Sequence, residues 1–388
     1  MPSVPALLPY RRARPLRWGL AGAGAVGLLV AVAAAPTAAR AAVVQVWPPF
    51  VLVAGLLLIG LVAQAEGLFA AAGHALARLS RNGVVLYAGS AALVVVVTTL
   101  LNLDTSVAFL TPVLVAAARS RGEDEAPLMY ACVLLSNAGS LMLPGSNLTN
   151  LIVLGHLHFS GGVFFAHMAL PALAAVVVTA AMVGGVYHRQ LRATVAPGSA
   201  PERPVFGVGL VAIAAVTVLV VALRSPALPV AVVGIVALVL WAPRGQRGAA
   251  FRTAMRVLDL RVLAGLFGVA VALGTLGRSW TGAETLLSHL DGWGTAAVAA
   301  VCSVLLNNLP AASLLAAHRP PHPYSLLVGL NVGPNLFVTG SLAWVLWLRA
   351  ARAAGGRPDL GKAVRLGLAS APLAIAGAVG VLYLQGLH

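Results

Sequence analysis

Two stretches of the chain place hydrogen-bonding side chains where a membrane helix is otherwise expected. Residues 134–154 read LLSNAGSLMLPGSNLTNLIVL, and residues 329–348 read GLNVGPNLFVTGSLAWVLWL. In the first, the helix breakers Gly139, Pro144 and Gly145 are accompanied by Ser136, Asn137, Ser140, Ser146, Asn147, Thr149 and Asn150. In the second, Gly333, Pro334 and Gly340 are accompanied by Asn331, Asn335, Thr339 and Ser341. A lone Gly or Pro in a membrane helix is a kink or a packing notch. Clustered breakers with polar neighbours read as a site, because non-helical backbone survives at membrane depth only where protein or trapped water satisfies it. Freed carbonyls and side-chain oxygens suit a cation, and half-helix N-termini suit an anionic or strongly polar group.

Only one acid joins these residues. Of the ten Asp and Glu, Asp104 alone falls at the turn of an apolar segment, in LLNLDTSVAFL. An ionisable group inside the membrane is costly and therefore a functional candidate, here as proton carrier or cation ligand. The plainer alternative is a capped turn in a water-filled vestibule. Glu66 lies at a helix end and reads as interfacial. No Lys or Arg falls within either break, which favours neutral or cationic cargo over a dianion bound by helix dipoles alone.

Other chemistry is poorly supported. His318 and His322 have the spacing of a metal pair, but Pro320 and Pro321 forbid a helix between them. His156, His158 and His289 fall in external loops. Asn147-Leu-Thr149 matches a glycosylation sequon at a depth where it is never presented. GAGAVG (Gly22 to Gly27) fits a dinucleotide pattern, but no strand precedes it and its surroundings read as a membrane helix. No Ser/His/Asp set, HExxH or P-loop is present, so neither an intramembrane hydrolase nor an ATP-driven pump is indicated, and no cofactor or metal is expected. Cys132 and Cys302 lie in apolar segments as packing residues.

The elements that must position these groups are membrane helices. The chain has 388 residues, 60% hydrophobic and only 9% charged. That composition cannot cover a soluble surface, so a polytopic membrane protein is expected. Its net charge of +15 does not signal nucleic acid, because the arginines flank apolar runs instead of forming a patch. Arg11, Arg12, Arg14 and Arg17 precede an apolar run from Trp18 to Ala35. The run resembles a signal peptide, but the many spans downstream favour a retained first helix.

Apolar segments lie near 18–35, 49–66, 84–101, 105–118, 126–155, 163–187, 205–223, 228–242, 262–277, 295–317, 324–349 and 366–385. If 84–118 and 295–317 are re-entrant hairpins, with tips at Asn102–Asp104 and Asn307–Asn308, the charges sort cleanly. All of the 25 Lys and Arg except Arg40, Arg224, Arg278 and Arg319 then share one side, 21 in total. The positive-inside rule supports nine spans and two hairpins, with the N-terminus cytoplasmic and the C-terminus outside.

The halves repeat one another. LLNLDTSVAFL (Leu100 to Leu110) resembles LLNNLPAASLL (Leu305 to Leu315), and SNAGSLMLPGSN (Ser136 to Asn147) resembles LNVGPNLFVTGSL (Leu330 to Leu342). VAGLLLIGLVAQAEG (from Val53) resembles LAGLFGVAVALGTLG (from Leu263), and HMALP ending at Pro171 answers to GLASAP ending at Pro372. The first unit enters from outside and the second from inside, so the repeat is inverted. The expected fold is an all-α polytopic membrane protein, each half with a re-entrant helical hairpin and an unwound transmembrane helix. Its parts are a basic cytoplasmic N-terminus (1–17), a first repeat (18–200), a connecting span (201–227) and a second, inverted repeat (228–388). The first break is expected over Ala138 to Asn147.

LDTSVAFLTP, GSLMLPGSNLTNL, NNLPAAS and NVGPNLFVTGSLAWVLWLR together resemble the arsenite permease family. That family belongs to the ion transporter superfamily, with the divalent anion:sodium symporters and NhaD-type sodium/proton antiporters. The similarity runs from about residue 45 to the C-terminus. It implies that hairpin tips and unwound helices form the ion and substrate sites. By position these are Asp104 and Thr105 with Ser136 to Asn147, and Asn307 and Asn308 with Asn331 to Ser341. The chain departs from the family pattern at Asn331, where an acid is common, and at Leu103, where Asn is common. The implied function is secondary transport, first of arsenite or antimonite outward on the proton motive force, with Asp104 carrying the proton. The alternatives are sodium-coupled carboxylate or anion transport and sodium/proton antiport, then a channel or a scaffold. Packing alone needs no duplicated polar core, which counts against a scaffold. The partners implied are a small inorganic oxyacid or anion, a coupling proton or sodium ion, the bilayer of the cell membrane and, as a candidate assembly, a homodimer.

Overall fold

A computed structural model describes residues 14–155, 160–192, 207–242, 245 and 247–387. Arg11, Arg12, His156, His158, Glu202, Arg203 and Arg244 lie outside the described residues. The chain is helical throughout them. The first half comprises α1 (Arg14–Ala34), α2 (Pro36–Ala65), α3 (Leu68–Leu79), α4 (Gly83–Leu100), α5 (Leu103–Ser120), α6 (Ala126–Gly139), α7 (Leu148–Leu154), α8 (Gly161–Val186) and α9 (His188–Leu191). α10 (Val208–Ala222) and α11 (Ala227–Trp241) follow. The second half comprises α12 (Arg247–Leu258), α13 (Leu260–Ser279), α14 (Gly282–Ser288), α15 (Gly292–Leu306), α16 (Asn308–Leu315), α17 (Pro323–Val332), α18 (Leu342–Ala353) and α19 (Leu360–Leu384).

By length and composition, five helical segments can cross a membrane: Pro36–Ala65, Gly83–Leu100, Gly161–Val186, Arg247–Ser279 and Leu360–Leu384. Several others are apolar but shorter. Leu29, Leu173, Val211, Val218 and Leu240 on α1, α8, α10 and α11 are exposed, as a lipid-facing belt requires. The polar side chains are concentrated inside instead.

Corresponding helices of the two halves pack against each other in opposite directions. Phe50 of α2 meets Phe267 of α13, while Ala42 faces Gly274 further along, so the two run antiparallel. On α8 and α19, Leu170 shares a groove with Leu384 and Gln385, while Val178 meets Gly377. That pair is antiparallel too. The two interrupted helices also cross head to tail. Trp347 Nε1 of α18 donates to the Met129 carbonyl near the start of α6 at 2.8 Å, and Asn335 at the second break donates to the Leu134 carbonyl at 3.0 Å.

Loops sort to two ends. At one end, Arg121 is buried, pairs with Glu123 and donates to the carbonyls of Ala77 and Ser80 at 2.7 Å. At the same end, Arg119 pairs with Glu125 and donates to the carbonyls of Ala354 and Gly355. At the other end, Gln45 donates to the carbonyls of Ile152 and Ala316 and accepts from Arg278 at 2.6 Å. Each arm of the α4–α5 hairpin has 18 residues, roughly 27 Å at the helical rise. Its two outer ends lie together beside Ser80 and Glu123, so the hairpin returns to the end it left.

Three expectations about boundaries need correction. The helix expected from 49 begins at Pro36, with Pro48 and Pro49 inside it. Helical residues on both sides of the prolines carry the segment through. The amphipathic α3 and α12 were not expected as helices; at 12 residues each they are too short to register as spans. The first break begins at Ser140, not Ala138, since α6 holds its helical bonds through Gly139.

Small residues bring helices into backbone contact. A Cβ on Gly268 of α13 would meet the backbone of Gly24 on α1, and one on Gly234 of α11 would meet the backbone of Gly55 on α2. Without a hydrophobic drive between helices in lipid, such close approach is what holds them. Gly268→Val is expected to part α1 from α13 and cost about 1–3 kcal/mol or more. A lower thermal midpoint in detergent, relative to Gly19→Val in open space, is the measurement that checks it.

Candidate functional site

Sequence-local causes make the two breaks. In the first, Leu143 precedes Pro144 and is extended (φ −133°, ψ 156°), as the residue before proline must be. Pro144–Ser146 make one tight turn, and Asn147 then caps α7, accepting from the Thr149 backbone N–H at 3.3 Å. In the second, Gly333–Leu336 form a short tight turn carrying Pro334, Phe337 is extended, and α18 starts at Leu342. Gly340 is required there, because a Cβ would meet the Pro334 backbone; Gly333 is required against Ala300. Gly139 and Gly145 have ordinary space around them and positive φ at neither.

The breaks meet through their asparagines. Asn137 Nδ2 donates to Asn335 Oδ1 at 2.9 Å, and Ser341 Oγ donates to Asn137 Oδ1 at 3.3 Å. Asn331 is the second hub. Its Oδ1 receives Ser140 Oγ at 2.7 Å, Asn147 Nδ2 at 2.6 Å and Thr149 Oγ1 at 3.3 Å. Its Nδ2 donates to Asn150 Oδ1 at 2.9 Å and to the Leu327 carbonyl at 2.8 Å. Asn150 in turn donates to the carbonyls of Ser140 and Leu143, satisfying backbone that the break leaves unpaired. All of these side chains are at most 3% exposed. The partners are amides, hydroxyls and backbone carbonyls; no charged group takes part in these bonds. Ser136 stands apart, bonded to the Cys132 carbonyl and to Ser106 of α5.

Each hairpin tip docks on the break of its own half by the same device. Ser146 Oγ donates to the Thr99 carbonyl at 3.1 Å, three residues before Asn102. Thr339 Oγ1 donates to the Val304 carbonyl at 2.6 Å, three residues before Asn307. Both tips are capped by their Asn: Asn102 accepts from the Thr105 N–H at 2.6 Å, and Asn307 from the Leu309 N–H at 3.4 Å. The second tip is tied further, Asn307 Nδ2 to the Thr339 carbonyl and the Asn308 N–H to the Gly340 carbonyl. Asn307 takes φ +75° to make that turn. The first tip is less closed. The buried Thr105 hydroxyl and Asn102 Nδ2 have no partner among the described residues, and the half-buried Asp104 carboxylate has none there either.

Of the residues proposed from sequence, Asn137, Ser140, Asn147, Asn331, Asn335 and Ser341 are brought into one network. Ser146, Asn307, Asn308 and Thr339 lock tips to breaks. Asp104, Thr105 and Ser136 lie on or beside the first hairpin. Glu66, expected at a helix end near an interface, caps α10 by accepting from the N–H groups of Val208 and Gly209. Gln45 was missed: a single glutamine near a proline pair carries no pattern, although it joins four helices. Asn150 and Thr149 were visible in the polar cluster but were not assigned a role. Among the described residues no group of three or more metal-ligating side chains forms; His318 and Glu284 approach only to 3.9 Å. Asn137→Leu strands Asn335 Oδ1 and the Ser341 hydroxyl in a buried site, at about 1–3 kcal/mol for each unsatisfied group. A fall of several degrees in the thermal midpoint of purified protein checks this, and an unchanged midpoint contradicts it.

No curated protein matches the chain. Among solved structures, the YdaH transporter of Alcanivorax borkumensis matches with a TM-score of 0.55 over 90% of this chain and 88% of that one, at 17% identity. Identity that low speaks for the fold alone. The family model described as "CitMHS: Citrate transporter" matches residues 16–329, which is most of the chain. This match does not confirm the arsenite permease branch specifically. The chain is a multi-pass membrane transporter and belongs to the CitMHS citrate transporter family.

Proposed function

We propose that the chain is a secondary carrier that moves a small oxygen-rich solute through the crossing of its two broken helices, coupled to protons through Asp104. The observation that carries this reading is the crossing itself: a buried set of uncharged amides and hydroxyls from both halves. Pairing two breaks in this way stabilises nothing that a continuous helix would not stabilise better. Antiparallel packing of corresponding helices supports an inverted repeat, and an inverted repeat gives two similar conformations open to opposite sides. The bonds between each tip and its break support gating by the hairpins.

Cargo follows from charge. Taking an anion out of water without a fixed countercharge costs several kcal/mol. A neutral polyol avoids that cost, so undissociated arsenite or antimonite is the leading cargo, exported from a cytoplasmic N-terminal side. The family description favours a second reading, uptake of a carboxylate such as citrate with sodium or protons. On that reading the carboxylates must enter with their charge offset by the coupling ions, since the crossing supplies none.

Proteoliposomes under an imposed pH gradient separate the readings. Arsenite accumulation that needs the gradient, and no sodium, supports the first; sodium-dependent citrate uptake supports the second. Asp104→Asn is expected to lower uphill transport at least tenfold while leaving folding intact. Undiminished uphill transport by that variant would falsify proton coupling through Asp104.

A further inference from the structure

One helix combines positive charge with an exposed aromatic ring and has no acid to answer the charge. α12 reads RGAAFRTAMRVL, with three arginines and no Asp or Glu. Its 12 residues span roughly 18 Å, too little to cross a bilayer. Ala250, Ala254 and Leu258 recur every four residues, are buried, and seat the helix on α2. At about 100° per residue, Arg252 and Arg256 fall on the opposite face, and both are exposed. Phe251 and Met255 lie on the flank between these faces, and Phe251 is 59% exposed.

The neighbouring helices put α12 at the level of a membrane boundary. Trp241 ends α11, whose Leu228, Ile235 and Leu240 are exposed as lipid-facing residues are. Beyond α12, Asp259 takes φ +40° and turns the chain into α13. Arg261, in the first turn of α13, lies over the ring of the exposed Trp18 of α1, 4.5 Å from its centroid. Tryptophan and arginine at helix ends mark the headgroup level. A helix in open water gains nothing from an exposed Phe251, and one within the acyl chains cannot hold Arg252 and Arg256. The boundary suits both.

The charge on α12 also lacks an internal counterpart. Arg119 and Arg121, at the same end of the molecule, pair with Glu125 and Glu123. Among the described residues, Arg247, Arg252 and Arg256 pair with no acid. Arg252 and Arg256 stand one helical turn apart, where like charges repel. An anion outside the protein removes that cost.

We propose that α12 is an interfacial helix that binds anionic phospholipid, with Arg247, Arg252 and Arg256 on the headgroup phosphates and Phe251 among the acyl chains. Guanidinium groups suit phosphate, and each basic side chain near an anionic surface adds to the attraction. Bound lipid then holds the adjoining ends of α2 and α13 at the membrane surface. The inference is independent of cargo and of coupling ion.

Titrating phosphatidylglycerol into the full chain in neutral detergent tests it, with the thermal midpoint as readout. Phosphatidylglycerol is expected to raise the midpoint by several degrees, and less so in about 0.5 M salt. Phosphatidylcholine and inorganic phosphate leave it unmoved. Joint Arg247→Gln, Arg252→Gln and Arg256→Gln substitution weakens the apparent affinity at least about tenfold, and Phe251→Ser weakens it about threefold. All four side chains are exposed, so the lipid-free midpoints stay near that of wild type. Joint Lys362→Gln and Arg365→Gln substitution, on exposed positions of α19, changes the affinity less than about twofold. A wild-type midpoint that phosphatidylglycerol does not raise overturns the proposal, as does a triple variant that binds it as tightly as wild type. Equal stabilisation by phosphatidylcholine or inorganic phosphate overturns the claim for anionic lipid. A loss in the α19 variant as large as in the triple variant overturns the assignment to α12.

Discussion

Backbone that this chain frees from helical bonding at membrane depth needs partners inside the protein, because lipid offers none. Water is absent there, and an unsatisfied N–H or carbonyl costs several kcal/mol. Two helices are nevertheless interrupted. The cost is met because the interruptions lie against each other. Asn150 covers the carbonyls that the first break exposes, Asn335 reaches the first helix at Leu134, and Asn331 holds both sides of the first break at once. Each break thus supplies hydrogen-bond partners to the other.

The hairpins extend the same logic. Their tips are helix ends with unpaired groups, and each is closed by a hydroxyl from its own half's break reaching the carbonyl three residues before the tip asparagine. The halves then diverge. The second tip is tied by further bonds from Asn307 and Asn308, while the first keeps the Thr105 hydroxyl and Asn102 Nδ2 unpartnered among the described residues. A carrier built from two similar halves needs such a difference if one side holds the coupling ion and the other only closes.

Much of this was legible in the sequence, because membrane helices announce polar residues by contrast. The breaks and both hairpin tips followed from Ser, Asn, Gly and Pro in apolar runs. What stayed hidden depends on three-dimensional partners. Gln45 joins α2, α7, α13 and α16 through its single amide, and no spacing foretells that. Thr99 and Val304 act through their carbonyls, which sequence does not distinguish. Cargo identity was the least legible feature, since the motifs that place the chain among ion transporters describe the scaffold of the site and not its occupant.

The central claim is that the crossing is a pathway that opens to each side in turn, and not a fixed polar brace. It is tested most directly by a single cysteine at position 140, with Cys132 and Cys302 replaced, labelled by a membrane-impermeant thiol reagent in sealed vesicles of each orientation. The account predicts labelling from either side, with the balance between sides shifted by reversing the ion gradient. Labelling from one side only, or from neither, whatever the gradient, would contradict it.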